Sequence, residues 1–434
     1  MRIDDSIFLQ DKSKASTRAT RHAQLQFSFS KSKPVNTLLN MKTNWNTGIN
    51  YGFSTIKSMM WILGLWPLQR NNVVYTIQWF IMFMTVSLTV INVLIEPFKS
   101  CDADRDGFEI LRIIENSTHG WLNIIFPRIY MKKIAVNLNS AIDDWLSPAI
   151  KKEWRVIMMA YARTGRLVAR THLIVGIIAG ILWFTSAFLS NKQETGTIGN
   201  GTATWNFVFP STCLYKGISY STYKILFAIQ IIQASVLLIA ECACDVFFFS
   251  IIMHLCGQLE LLRIQFTMIS KTRYDEKRHV LGPLVKRHCQ LIALVKNIED
   301  AFNINILLRF VIISIAIAIS GIGILLSIKQ QNYQEVIKMF LSTQFYMGQV
   351  FLYTYAGDML QNQSESIVYA IYSSEWHEIS PIMMKDLIFV MMRMNTPLRI
   401  SAGKFFYLTR NTMTDILKTT LTYISFIRVT LINE

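Results

Sequence analysis

The stretch "INILLRFVIISIAIAISGIGILLSI", Ile304–Ile328, carries one charge, Arg309, in an otherwise apolar run. A helix needs ~20 such residues to cross the hydrocarbon core of a bilayer. The run reads as a membrane span, with the Arg309 stem snorkelling to the nearer interface. Six further runs follow the same pattern: Val73–Ile95, Phe108–Met131, Val168–Leu189, Ser221–Phe249, Val336–Ala356 and Phe405–Leu431. The second of the seven is interrupted by Glu115, Asn116 and His119, and the last is tinged with polar residues. An all-α membrane protein with seven transmembrane helices is expected.

Composition agrees. Of 434 residues, 52 % are hydrophobic and 16 % charged, against about a quarter charged in soluble domains. Continuous apolar runs argue against a β-barrel, whose strands alternate. The net charge of +15 lies in the loops between spans, so it points to membrane topology and lipid rather than nucleic acid. Six cysteines form neither a disulfide framework nor a zinc spacing. No nucleophile–base set, phosphate loop or metal cluster stands out, so neither an enzyme, a cofactor nor a metal is expected.

Lys and Arg concentrate on the cytoplasmic side of spans. They are dense in residues 128–170 and 263–296 and again at Lys385, Arg393, Arg399 and Lys404, but sparse in residues 96–109 and 190–224. This alternation predicts a cytoplasmic N-terminus and an extracellular C-terminus. The inverted order argues against a receptor that couples to G proteins. Asn200-Gly201-Thr202 then lies outside as a glycosylation acceptor. Cys101 and Cys213 also lie outside, where a disulfide between them would persist.

Four ordered motifs carry a resemblance. "MMWILGLWP", Met59–Pro67, precedes the first span; "SIVYAIYSSEWHEI", Ser366–Ile379, lies in the last cytoplasmic loop; "LRISAGKFFYLT", Leu398–Thr409, leads into the last helix; "ILKTTLTYISF", Ile416–Phe426, lies within it. Together with the inverted layout they resemble the insect odorant receptors, from about Trp45 to the C-terminus. Val429 and Thr430 stand where the related gustatory receptors carry Gln and Phe. The cytoplasmic loops lack the insertion typical of the obligate co-receptor. The resemblance therefore implies a ligand-tuning subunit that binds a small hydrophobic odorant. It would form a ligand-gated non-selective cation channel, as a heterotetramer with the odorant receptor co-receptor, in the plasma membrane of sensory-neuron dendrites. A homomeric channel of the gustatory type and a small-molecule transporter are the rival readings.

The same resemblance divides the chain. Residues 1–44 form a basic extension outside the family pattern, 45–356 the ligand-binding helices, 357–404 a cytoplasmic anchor, and 405–434 the pore helix. In the last helix Thr412, Asp415, Thr419, Thr422 and Phe426 share one face at helical spacing. Such a face suits either a hydrated pore narrowed by an apolar ring or threonines bonded back to their own carbonyls. The family favours the pore, with Thr419, Thr422, Phe426, Val429 and Thr430 lining it. For the odorant, the family points to the second, third, fourth and sixth spans. The residues selected there are Asn116, His119, Gly180, Trp183, Phe184, Tyr220, Tyr223, Phe227, Thr343 and Tyr346. Gly176 and Gly180 equally suit close helix packing, and the tyrosines equally suit interface anchors. Glu241 and Asp245 read either as an intramembrane ion site or as a helix that has already left the membrane, the reading preferred.

Overall fold

The computed structural model describes residues 47–69, 72–96, 107–147, 151–194, 205, 207–209, 211, 214–215, 217–269, 274–374, 376 and 380–432. The basic extension, Asn200, Cys101 and Cys213 lie outside these. The described residues form a helical bundle with one small hairpin: α1 (Thr47–Ile62), α2 (Val73–Ile95), α3 (Gly107–Ile129), α4 (Met131–Leu146), α5 (Lys152–Glu194), α6 (Tyr220–Met268), α7 (Tyr274–Lys329), α8 (Tyr333–Tyr372), α9 (Pro381–Met394), β1 (Ser401–Ala402), β2 (Phe406–Tyr407) and α10 (Arg410–Ile432).

Sequence character sorts these helices by layer. α6 is apolar on all sides, and Ala240–Met253 is buried without interruption, as expected of a helix hydrophobic all round. It is the central rod of the bundle. α2 buries only a narrow stripe, including Val86 and Val93, and exposes Ile77, Phe80, Ile81, Leu88 and Ile91. α5 exposes Ile174, Ile177, Ile178 and Ile181 in the same way. Such faces suit lipid tails. By length and composition α2, α5, α6 and α7 can each cross a membrane; α3, α8 and α10 hold the more polar second, sixth and seventh runs.

Two turns explain the motifs around them. Gly64 has φ +65°, and a Cβ there would sit 2.6 Å from the Trp79 backbone nitrogen. Only glycine fits, and the turn buries Leu63, Leu65 and Trp66. In the last loop Gly403 and Lys404 both adopt positive φ, and the Phe405 N–H donates to the Ala402 carbonyl at 3.0 Å. Two successive left-handed residues make the tight turn that suits a hairpin, here pairing Ser401 with Tyr407 and Ala402 with Phe406. The hairpin is tied to α7 by the Gly403 N–H to the Asn303 carbonyl at 2.9 Å and by the Ser401 hydroxyl to Glu299 at 2.7 Å.

The hairpin corrects one boundary: the predicted span Phe405–Leu431 becomes a helix only at Arg410, because Phe406 and Tyr407 are strand. Larger differences concern the charges. Arg309 does not snorkel; it is fully buried. Glu241 and Asp245 have not left the core, being 3 % and 0 % exposed. α6 runs 49 residues and α7 runs 56, so both continue far past the ~20 residues of a minimal span, and protein rather than water surrounds these positions.

Candidate functional site

A cavity of about 120 Å³ lies between α3, α5, α6 and α8. The spacing of glycines on α5 shapes it. At Gly176 a Cβ would approach Leu238 to 2.9 Å and Phe345 to 3.1 Å, whereas at Gly180 the nearest atom is 3.7 Å away. Gly176 allows close packing, and one turn on, Gly180 leaves open space. Trp183, Phe184, Ala234, Leu237 and Leu238 supply apolar wall; Asn116, Glu241, Ser342 and Tyr346 supply polar atoms. An apolar cavity with few polar groups is the usual form of a small-molecule site.

One end is closed by Val208 and Phe209 from the segment between α5 and α6. The Trp183 indole N–H donates to the Val208 carbonyl at 3.2 Å. Gln230 accepts the Phe209 N–H at 3.0 Å and donates to the Ser211 hydroxyl at 2.7 Å, which donates to the Phe209 carbonyl at 2.9 Å. The Lys338 ammonium sits 4.6 Å from the Trp183 ring centroid and 2.6 Å from Glu335, holding the indole from the other side. Nothing in the sequence marks this segment, whose residues carry no motif.

At the opposite end the Tyr346 hydroxyl donates to Glu115 at 3.2 Å, and Glu241 faces the cavity. His119 lies behind Glu241, fully buried, its Nδ1 3.9 Å from the Glu241 carboxylate. Of the ten residues selected from the sequence, Asn116, Gly180, Trp183, Phe184 and Tyr346 line the cavity together; His119, Tyr220, Tyr223, Phe227 and Thr343 do not. Tyr223 instead stacks on Trp205 at 4.8 Å and meets Phe207 and Phe227 at 5.4 and 5.6 Å, an aromatic cluster beyond the closing segment. The Thr343 hydroxyl donates to the Met339 carbonyl of its own helix at 2.9 Å.

Below the cavity five helices converge on a buried polar cluster. Asp245 of α6 pairs with Arg309 of α7. It also accepts from the Tyr353 hydroxyl of α8 at 2.9 Å and lies 3.1 Å from His172 Nε2 of α5. Arg309 donates to Asn123 of α3 at 2.6 Å. Phe345, a wall residue of the cavity, stacks on His172 at 4.8 Å with an interplanar angle of 11°, so the cavity and the cluster are in contact. The signal for this cluster was present: opposite charges standing alone in two apolar runs call for each other, since an unpaired charge there is expensive.

α10 packs on α7 and α8 through one side only. A Cβ at Gly321 of α7 would sit 2.5 Å from Ile424 Cδ1, so glycine sets the approach. Thr420 is 1 % exposed, while Thr419, Thr422 and Phe426 are exposed; the Val429 and Thr430 side chains lie outside the described residues. The Thr422 hydroxyl donates back to the Lys418 carbonyl at 2.9 Å, although the residue lies on the exposed side of the helix. Asp415 and Lys418 are both exposed.

A family model described as "7tm Odorant receptor" matches residues 123–421. Among curated proteins, Odorant receptor 85c of Drosophila melanogaster is 24 % identical over 39 % of this chain and 42 % of its own length. Odorant receptor 22c of the same species is 22 % identical over 52 % of this chain and 57 % of its own. The chain thus spans about half the length of the curated relatives it matches. Among solved structures, the insect olfactory receptor OR5 from Machilis hrabei superposes with a TM-score of 0.73 at 12 % identity, covering 87 % of this chain and 99 % of that one. Its complex with eugenol gives 0.72 at 13 % identity, covering 88 % of this chain and 100 % of that one. These structures share the fold.

Proposed function

We propose that this chain, which belongs to the 7tm odorant receptor family, is the ligand-tuning subunit of an odorant-gated cation channel. The observation that carries the proposal is the cavity between α3, α5, α6 and α8, apolar on most sides and bordered at one end by Val208 and Phe209. A small volatile molecule requires such a site. Asn116, Gly180, Trp183, Phe184 and Tyr346 would contact the odorant; a eugenol-bound relative offers a precedent of the right size class.

The channel itself would be shared. α10 leaves Thr419, Thr422 and Phe426 uncovered, and a hydroxyl-bearing face narrowed by an apolar ring suits a pore that gates by dewetting. Four such helices, from this chain and the co-receptor, would surround the pore, with residues 357–404 anchoring the subunits on the cytoplasmic side. The N-terminus would be cytoplasmic, the C-terminus extracellular and the location the dendritic plasma membrane. The odorant would open the pore through its higher affinity for the open state.

Expression in oocytes with and without a co-receptor subunit tests this. The expected result is silence from the chain alone and odorant-evoked, non-selective cation current from the pair. Odorant-evoked current from the chain alone points instead to a homomeric channel, and saturable uptake without current to a transporter.

A further inference from the structure

The polar atoms of the cavity are unequally committed. The Ser342 hydroxyl donates to the Lys338 carbonyl at 3.0 Å, Tyr346 to Glu115 at 3.2 Å, and the Trp183 N–H to Val208 at 3.2 Å. Three of the wall's donors are therefore spent on the protein. Glu241 is the reverse case. It is 3 % exposed, it lines the cavity, and its Oε1 has no hydrogen-bond partner among the described residues. Its nearest cationic candidate, His119, stands 3.9 Å away, too far for a hydrogen bond. The remaining polar wall residue, Asn116, offers both a donor and an acceptor and so discriminates little.

We infer that the cavity selects small apolar ligands that carry a terminal hydrogen-bond donor, an alcohol or an amine, whose O–H or N–H is accepted by Glu241. The preference belongs to the ionised form: a carboxylate accepts at two oxygens and has nothing to donate, whereas a carboxylic acid would also offer its O–H to an ether or aldehyde. Acceptor-only molecules of the same shape, such as ethers and aldehydes, cover the Glu241 carboxylate and leave its buried oxygen unmatched. A site whose polar group needs the ligand's donor rejects the analogue lacking it far more strongly than it rejects one missing a methylene. The inference rests on reading this cavity as the odorant site.

The test pairs the full chain with a co-receptor subunit in oocytes and compares matched straight-chain alcohols, amines, methyl ethers and aldehydes. The alcohols or amines should activate at concentrations about tenfold or more below their ether and aldehyde isosteres, the difference of one well-placed hydrogen bond. Amines outranking alcohols marks the charge of the ionised Glu241; alcohols and amines no better than their ether and aldehyde isosteres mark a neutral Glu241 that donates as well as accepts, and overturn the inference. Glu241→Leu should erase the donor preference while surface labelling stays normal. Glu241→Gln, which keeps an acceptor and adds an N–H, should raise aldehyde responses toward those of the alcohols and serves if the leucine variant fails to reach the surface. Gly180→Phe, which fills the cavity, should weaken every agonist. Loss of all responses in Gly180→Phe with an unchanged donor preference in Glu241→Leu overturns this inference alone. Unchanged responses in Gly180→Phe overturn the cavity as the odorant site. Stronger activation by ethers and aldehydes than by alcohols and amines, or silence toward every alcohol and amine, also overturns the inference.

Discussion

Asp245 and Arg309, 64 positions apart on α6 and α7, form an ion pair in which neither side chain has any exposure. Tyr353 and His172 occupy the rest of the carboxylate, and Asn123 takes a second guanidinium nitrogen. Removing one partner of a buried pair leaves a charge with nothing to answer it, at a cost of about 3–5 kcal/mol. Asp245→Asn or Arg309→Met alone should therefore abolish surface delivery and lower the melting temperature of the detergent-solubilised chain. The double variant Asp245→Leu, Arg309→Met should recover most of both. Equal losses in single and double variants would show that the two residues act separately.

Gln230 holds the closing segment through its contacts with Phe209 and Ser211. Gln230→Leu strips the partner from a buried backbone N–H, worth about 1–3 kcal/mol. Amide exchange at Phe209 should accelerate, and the agonist concentration for half-maximal current should rise by about tenfold. Unchanged exchange would mean that Trp183 alone secures the segment.

Neighbouring threonines on α10 separate its two sides. Thr422 is exposed and Thr420 buried. In the heteromeric channel, Thr422→Cys should make the current sensitive to block by a charged thiol reagent, and Thr420→Cys should not. Block of both positions at similar rates would remove α10 from its proposed orientation around the pore.

Gly321 meets Ile424 where α7 supports α10. Gly321→Ala forces a methyl against Ile424, and overpacking of this kind costs about 1–3 kcal/mol. Maximal agonist current should fall several-fold, and Ile424→Ala in the same chain should restore it. Non-additivity of the two changes is the signature of direct contact.

The long apolar helices are legible in the sequence because a membrane span writes itself as an apolar run of about 20 residues. Val73–Ile95 matches α2 at both ends, whereas Ser221–Phe249 reads as a span like the others, and only packing makes α6 the central rod. The partnership of Asp245 with Arg309 was harder to read. Counting residues from Ser221 places Glu241 beyond the hydrocarbon, but the count assumes that a helix leaving lipid meets water, and here it meets other helices. The split between Gly176 and Gly180 was equally hidden, since identical spacing serves packing at one residue and space at the next. Five of the ten selected cavity residues stand apart from the cavity because helix direction fixes the side of a residue, while its depth along the axis depends on how neighbouring helices slide.

One helix carries both the buried ion pair and the seat of α10. At 1.5 Å per residue, Gly321 lies roughly 18 Å along α7 from Arg309, and Tyr274 roughly 53 Å away on the other side. The stretch from Arg309 to Gly321 holds no proline, whereas Pro283 removes a rung of the helix ladder on the way to Tyr274. The shorter arm of α7 is therefore built as a strut, and the longer arm has a built-in place to bend.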